Sequence, residues 1–395
     1  MMMKKNRTTY CIILGGCTFL MILGYSFIAS RAIIAQENVC CGIDLGKEYS
    51  SVKEVYDSGD PVVWRDFALQ GEYTATFDGR NAGLHLIAYG EGKFRFVLYT
   101  GGLPGEKGGW NPQAADGWNS NGIRMFGSGE IIDDELLLTT ERILSSGTVY
   151  PVQEVIKMTP YRFTFESYRD GMTGGPSCVL ERTSRGLIPI PQWEKVYRNS
   201  PTYGLKSPQG AFVLFADRDL SHFNADARIY EQADGPALVA GPVSQPFDQW
   251  KSFSFHAEFM TTYRPTADGQ HRANSGIFFA ETYELQILDS FGLEPDYGDC
   301  GAWYSSRVPD INVCYPPLVW QTYDVEFTPP RFENGKKVSN SFWTVKHNGV
   351  TIHDNYEMVK KTPADKEEVN ELRGVYLQPG HINHVQFRNL WFDFK

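Results

Sequence analysis

The sequence lacks several features that mark common classes of protein. Its 395 residues contain no cluster of basic side chains and carry a net charge of −10, which argues against a nucleic-acid partner. Its seven cysteines have no spacing typical of a zinc site, and we predict no cofactor. No run of ten or more residues has convincing helical periodicity. These absences argue against a DNA- or RNA-binding protein and against a helical fold.

Aromatic residues, by contrast, are abundant and make up 14% of the chain. Aromatic side chains pack well on pleated sheets, so this composition favours a β-rich architecture. It also fits sugar-binding surfaces, although the structural explanation is the simpler one. A chain of 395 residues exceeds one ordinary domain, which predicts two domains and a targeting segment.

The first 35 residues have the pattern of a signal peptide or a membrane anchor. Basic residues precede an uncharged, mostly apolar run from Thr8 to Ser30, which is long for a signal peptide and about long enough to span a membrane. Residues 30–32 suit a cleavage site, and residues 14–17 have the form of a lipoprotein box. We expect a periplasmic, extracellular or outward-facing anchored protein that contacts a membrane only through this segment.

Short apolar runs separated by turn residues predict strands along most of the chain. "LHLIAYGEGKFRFVLYT" predicts a hairpin, and "VKHNGVTIHDN" predicts a second one with a type I′ turn at Asn348-Gly349. A proline-rich run predicts a domain boundary between about 183 and 209. We therefore predict a linker over 36–60, a small β-rich domain over 61–190, and a β-sandwich or jelly roll over 205–395.

Two cysteines, Cys300 and Cys314, flank the loop "GAWYSSRVPDINV". In an exported protein they are the first choice for a disulfide. The alternative is a pair of small buried thiols.

The strand candidate "TYELQILDS" combines large apolar residues with three polar ones. Residues two apart on a strand share a face, so Glu284 and Gln286 point the same way, and Asp289 points the other way unless a bulge intervenes. The set resembles the Glu-x-Asp-x-x-Glu strand of laminarinase-type hydrolases, with an amide in place of the middle acid. A solvated strand face is the simpler alternative.

Two other stretches carry polar residues that could join a site. "FSFHAEFMTTY" places His256 and Glu258 on one strand face, opposite its phenylalanines. Arg272 and Asn274 lie two residues apart at the start of a strand, where they could donate hydrogen bonds, although Arg272 could equally bind a loop carboxylate.

Several motifs, in this order along the chain, resemble one known family. They are "RANSGIFFAETYELQILDSFG", "DCGAWY", "PPLVWQTYDVEFTPPRF", "VKHNGVTIHDN" and "VYLQ…FRNLW", within residues 209–395. The family is that of the 3-keto-disaccharide hydrolase domains. The resemblance implies an all-β, concanavalin-like jelly-roll sandwich whose concave face holds a small sugar, preceded by a smaller β-rich domain. It implies cleavage of glycosides whose ring carbon 3 has been oxidised to a ketone.

Such a reaction needs a base for the carbon-2 proton, an acid for the leaving oxygen and donors for the developing enolate. With the resemblance in view, the candidate catalytic residues are Glu284 and His256. The candidate substrate-binding residues are Glu258, Arg272, Asn274, Gln286, Asp289, Gln378 and Arg388. His347 and His353 are interpreted as structural, and a loop-supporting calcium ion is an unsupported alternative to no metal.

One segment departs from the family pattern. The family commonly shows Leu-Gln-Asp-His-Gly before its last strand, whereas this chain has "LQPGHINHV", which lacks the acid and places His381 after a longer turn. This difference favours a second hypothesis, a non-catalytic carbohydrate-binding or surface-recognition module on the same fold. Direct glycoside hydrolysis is a third hypothesis, and it would need two close carboxyl groups.

Overall fold

The computed structural model describes most of the chain after residue 38. The described residues are 39–40, 43–77, 79–112, 122–133, 135–145, 148–160, 177–182, 192–225, 227–239, 251–280, 283–359, 362, 375–377 and 384–395. The chain divides into the units Met1–Glu37 and Asn38–Lys395, and the second unit is the one described below. The predicted export segment lies outside the described residues, as do Gln378 and His381. Within the described part, no helix has the length and hydropathy needed to cross a membrane.

Two short helices precede the sheets: α1 (Val52–Asp57) and α2 (Pro61–Leu69). Ser51 caps α1, and the Asp60 carboxylate caps α2 by accepting from the backbone of residues 62 and 63. Helix α1 therefore lies within the segment that was predicted to be a linker. The Ser-x-x-Glu capping pattern of residues 51–54 signals this helix, but the apolar run behind it is too short for periodicity to show.

The first large element is a closed, eight-stranded antiparallel barrel with the strand order β10-β3-β4-β5-β6-β7-β8-β9. Two short strands, β1 (Val39–Cys40) and β2 (Ile43–Asp44), pair ahead of it. The barrel strands are β3 (Gly71–Phe77), β4 (Arg80–Gly90), β5 (Lys93–Thr100), β6 (Arg124–Ile132), β7 (Glu135–Ser145), β8 (Thr148–Pro160), β9 (Ser177–Arg182) and β10 (Gln192–Val196).

Alternation along the strands builds the barrel core. On β5, Phe94 and Phe96 are buried while Lys93 and Arg95 are exposed. Gly127 faces Phe96, and a Cβ at this position would lie 2.5 Å from the Phe96 ring. The absence of a side chain at residue 127 thus leaves room for a large ring inside a narrow barrel.

The second large element is a sandwich of two antiparallel sheets, which confirms the predicted all-β sandwich class. The larger sheet has the order β12-β13-β23-β14-β17-β20-β21, with β11 also paired to β23, and the smaller has the order β16-β15-β22. The strands of the larger sheet are β11 (Phe212–Phe215), β12 (Arg228–Gln232), β13 (Gly235–Val239), β14 (Phe253–Met260), β17 (Trp320–Thr328), β20 (Ser341–His347), β21 (Val350–Met358) and β23 (Gln386–Phe394). Those of the smaller sheet are β15 (Ser275–Phe279), β16 (Tyr283–Ile287) and β22 (Val375–Leu377), and β18 (Arg331–Glu333) pairs separately with β19 (Lys336–Ser339).

Aromatic side chains fill the space between the two sheets. Phe253 and Phe255 of the larger sheet meet Phe279 of the smaller sheet at ring-centroid distances of 5.8 and 5.2 Å. Trp343 joins the same cluster, 5.4 Å from Phe279. Each such buried side chain contributes about 1.5–3 kcal/mol through burial alone, and the ring geometry adds to it.

Both predicted hairpins are present. Strands β4 and β5 pair through Gly90 and Lys93 around a two-residue turn. At the second hairpin, Asn348 and Gly349 have φ angles of 49° and 77°, the two positive values that a type I′ turn requires. The predicted limits of the two β-rich domains remain a prediction.

Candidate functional site

The strand β16 carries the two polar residues that sequence analysis singled out. Tyr283, Leu285 and Ile287 belong to the core between the sheets. Glu284 and Gln286 therefore point to the outer face of the smaller sheet. On the neighbouring strand, a Cβ at Gly276 would lie 2.9 Å from Glu284 Oε1, so the Glu284 carboxyl lies over a glycine that leaves room for it.

The Glu284 carboxyl has no hydrogen-bond partner within the part of the chain that the structure describes. The side chain of this residue is largely buried, at 7% exposure. In the described part of the chain no group donates a hydrogen bond to its carboxyl, while its backbone N–H donates to Thr362 Oγ1 at 2.6 Å. Burial raises the pKa of Glu284 to about 8. At neutral pH it is therefore mostly a neutral carboxylic acid, which can donate a proton.

Amide side chains form a cluster beside it. Gln270 Oε1 accepts hydrogen bonds of 3.0 Å from both Asn274 Nδ2 and Gln286 Nε2. The carbonyl of Gly298 accepts from Gln270 Nε2 at 2.9 Å and from Gln286 Nε2 at 3.2 Å. Gln286 Oε1 is buried and has no partner among the described residues. The face thus offers a proton donor at Glu284 and a hydrogen-bond acceptor at Gln286.

Arg272 and Asp289 form a buried ion pair and do not offer free groups to this face. Arg272 Nε and Nη2 lie 3.1 and 2.7 Å from Asp289 Oδ2, and both side chains are almost fully buried. Arg272 Nη1 lies 3.4 Å from the carbonyls of Ala88 and Pro265. The alternative that Arg272 binds a loop carboxylate is the arrangement found, because its donors are already used by the protein.

His256 and Glu258 lie on the opposite face of the sandwich from Glu284. Their strand β14 sends Phe255, Ala257 and Phe259 into the core, so the alternating residues point outward from the larger sheet. The prediction that these two residues converge with Glu284 on one face is therefore wrong. Alternation assigns a residue to one side of its own sheet, but two stacked sheets have two outer faces.

The polar groups around His256 form a network of their own. His256 Nδ1 lies 2.7 Å from Asp324 Oδ1, and its Nε2 lies 3.6 Å from Glu258 Oε1. Burial alone would lower the pKa of His256, but the bond to Asp324 and the neighbouring Glu258 outweigh this and raise it. Glu258 also accepts from the Gly204 backbone at 2.6 Å and from Arg388 Nε at 3.2 Å. Arg388 thus belongs to this network and not to the face of Glu284.

The remaining predicted residues do not extend the site. Cys300 and Cys314 are free, buried thiols, so the predicted disulfide is absent and the alternative of two buried thiols is the arrangement found. His347 and His353 are buried within the sandwich. Gln378 lies outside the described residues.

Two residues close to the amide cluster were not predicted from the sequence. Gln270 sits at a 3-10 turn, Gly269–His271, where no strand pattern draws attention to it. Asp299, next to Gly298, has a pKa raised to about 6, mainly by burial. The "DCGAWY" motif contains Asp299 and could have identified it.

Comparison with known proteins places this face within a recognised domain. Residues 213–393 match the family model of the 3-keto-alpha-glucoside-1,2-lyase-like domain. Two crystal structures, each of a "putative glycosyl hydrolase" from Parabacteroides distasonis ATCC 8503, are similar at 26% and 15% identity. Both alignments cover 47% of this chain; they cover 84% and 93% of the other chains, with TM-scores of 0.39 and 0.28. A search of the curated proteins gives no match.

Proposed function

We propose that the protein cleaves 3-keto-glycosides at the outer face of the smaller sheet, because residues 213–393 match the family model of the 3-keto-alpha-glucoside-1,2-lyase-like domain. The observation that carries this proposal is the buried carboxyl of Glu284, which has no partner among the described residues and whose pKa burial raises to about 8. Strongly shifted pKa values are typical of groups that transfer protons in catalysis.

The chemistry of a 3-keto-glycoside suits such a group. The ketone acidifies the hydrogen on carbon 2; a base removes it, and the glycosidic oxygen then leaves carbon 1 with the electron pair of the broken bond. Addition of water across the resulting enone completes net hydrolysis. The leaving oxygen needs a proton, and in our proposal Glu284 donates it.

The base is assigned to a second carboxyl. Asp299 has a pKa of about 6 and is therefore mostly ionised at neutral pH, when Glu284 is mostly protonated. Asp299 follows Gly298, whose carbonyl accepts from Gln286 Nε2, and in our proposal its carboxylate takes the carbon-2 proton while Glu284 serves as the acid. The Gln286 amide oxygen would accept a hydrogen bond from a sugar hydroxyl.

The direct test uses the full-length protein with 3-keto-trehalose and, in parallel, with unoxidised trehalose. We expect cleavage of the keto-sugar alone, at a kcat that falls as the pH rises through about 8 and Glu284 loses its proton. Glu284→Gln should reduce kcat at least about a hundredfold while substrate still binds. Glu326→Gln, a change of an exposed carboxylate on β17, is the control and should leave kcat unaltered.

Three results would change the assignment. Full activity of Glu284→Gln would remove Glu284 from the mechanism, and a kcat that rises through pH 8 would make it the base. Binding of the sugar without any turnover by the unmodified protein would favour the recognition-module alternative, with the "LQPGHINHV" segment as the first suspect.

We also propose that the protein acts outside the cytoplasm. The support is the sequence of residues 1–35, with a basic start before a long uncharged run. Cell fractionation should recover it from the periplasm, the medium or the membrane fraction. Recovery of the full-length chain from the soluble cytoplasm would contradict this proposal.

A further inference from the structure

A cluster of two thiols and an imidazole lies inside the sandwich, apart from the face of Glu284. It consists of Cys300, Cys314 and His347, which we call the thiol–imidazole cluster. One donor atom from each residue lies within 4.8 Å of those of the other two. All three side chains are at most 2% exposed. The proposed reaction does not use this combination of donors.

The hydrogen bonds around His347 determine which ring nitrogen is available. Gln321 Oε1 accepts from the backbone N–H of Tyr315 at 2.9 Å, which identifies this atom as the amide oxygen. His347 Nε2 lies 2.9 Å from the same oxygen and must therefore carry the proton. Nδ1 is left with its lone pair, buried and without a partner among the described residues.

A fourth donor borders the cluster. The Tyr323 hydroxyl donates to the carbonyl of Gln286 at 2.8 Å, which leaves its oxygen lone pairs free to accept. That oxygen lies 3.1 Å from Cys300 Sγ. The second thiol, Cys314 Sγ, is 3.8 Å from the carbonyl of Leu288.

We propose that the cluster is a structural zinc site, in which the Cys300 and Cys314 thiolates and His347 Nδ1 bind Zn²⁺ and the Tyr323 oxygen occupies the fourth position. Two thiolates and one nitrogen are donors that zinc prefers. Binding converts two thiols into thiolates and releases two protons. The two negative charges cancel those of the divalent ion, so the filled site is neutral, as a fully buried position demands.

The geometry requires only a small adjustment. Zn–S bonds of about 2.3 Å in a tetrahedral site place the sulfurs roughly 3.8 Å apart. The two sulfurs, now within 4.8 Å of each other, would therefore draw together by at most about 1 Å. The Gln321 amide already fixes the tautomer and orientation of the imidazole, as partners of zinc-bound histidines commonly do.

The location gives the ion a structural role. The residue after Cys300, Gly301, donates its backbone N–H to the carbonyl of Gln286 at 3.0 Å, and Ala302 accepts from the Gln286 backbone at 2.9 Å. A metal ion bound to Cys300 would thereby stabilise the position of strand β16 from its core side. The inference does not depend on the proposed reaction, because it concerns the core and not the face of Glu284.

The test measures metal in the full-length protein, produced in zinc-supplemented medium and purified under reducing conditions. We expect about one zinc per chain by elemental analysis and a melting temperature that falls when the protein is refolded with a chelator. His347→Gln should lower the zinc content severalfold. His353→Gln is the matched control, because it also removes a buried imidazole with a pKa of about 3 but lies outside the cluster.

Refolding with Co²⁺ gives a second readout that needs no variant. Thiolate-to-cobalt charge-transfer absorption in the near ultraviolet would support the assignment, even if His347→Gln or Cys300→Ser fails to fold. Three outcomes would overturn the zinc assignment. The first is an unmodified protein with no zinc and no such absorption, and the second is equal zinc loss in His347→Gln and His353→Gln. The third is a Cys300–Cys314 disulfide in protein purified without reductant, if that protein does not take up zinc.

Discussion

At the scale of single residues, the buried carboxyl of Glu284 makes the stability of the folded chain depend on pH. Its pKa rises from 4.5 to about 8 because its carboxyl is buried. An unfolded chain would release this proton at lower pH than the folded one. The stability associated with Glu284 is therefore fully present below about pH 4.5 and is lost as the pH rises through about 8.

The corresponding prediction concerns Glu284→Gln, which removes the titration and keeps the shape. Its unfolding free energy, relative to the unmodified protein, should increase by a few kcal/mol between about pH 5 and about pH 9. Denaturant unfolding at several pH values measures this difference. Glu326→Gln should show no such trend, and a flat difference for Glu284→Gln would mean that Glu284 is not buried as an acid.

Single residues were predictable from the sequence where alternation alone decides their orientation. Glu284 and Gln286 share a face, as residues two apart on a strand indicate. Asn274 contacts Gln286 only through Gln270, a residue that alternation does not identify. The sequence allowed a carboxylate partner for Arg272 but could not identify it as Asp289, because the two residues are seventeen positions apart and only the folded chain brings them together. The same holds for the raised pKa of Glu284, which depends on what covers it.

At the scale of elements, the two sheets place the polar residues of β14 and β16 on opposite outer faces, although the two strands look equivalent in the sequence. Strand type, the two hairpins and the sandwich class follow from local patterns, because turn chemistry and period-two alternation are local properties. Which outer face a strand presents depends on the sheet it joins, and strand pairing is non-local. The polar strands β14 and β16 were therefore predictable from the sequence, but the opposite faces on which they lie were not.

This separation predicts different effects for the two faces. His256→Gln should cost about 1–3 kcal/mol of stability through loss of the Asp324 bond and leave kcat on a 3-keto-glycoside unaltered. The pKa of His256 is raised in the folded state. The ionised pair of His256 with Asp324 therefore stabilises the folded chain fully below about pH 6.5, and this stabilisation is lost as the pH rises through the folded-state pKa.

The cost of His256→Gln should therefore be larger near about pH 5 than near about pH 9, as thermal unfolding at the two pH values would measure. A large loss of kcat in a variant that remains folded would contradict the separation of the faces. It would return His256 to the candidate catalytic residues.

At the scale of the whole molecule, the segment between the barrel and the sandwich is bound to both. Arg198 forms a two-pronged ion pair with Glu72 of the barrel strand β3 and donates to the Pro104 carbonyl at 2.8 Å. A few residues later, Thr202 donates to Asp324 at 2.7 Å, and Gly204 donates to Glu258. A proline-rich run suggested an open boundary, but these tertiary bonds cannot be deduced from composition.

The last prediction concerns proteolysis of this segment. Trypsin should cut slowly after Arg198, because cleavage requires the Glu72 pair to open first. Arg198→Lys keeps a trypsin site but loses the planar fork, so cleavage there should accelerate about tenfold, corresponding to about 1.4 kcal/mol of opening free energy. Lys206→Arg, which preserves an exposed trypsin site in the same segment, is the control and should leave the rate at residue 198 unchanged. Mass spectrometry of timed digests distinguishes the two sites.

Rapid cutting after Arg198 in the unmodified protein would show that the ion pair does not hold the segment, and would favour the open boundary that the prolines suggested.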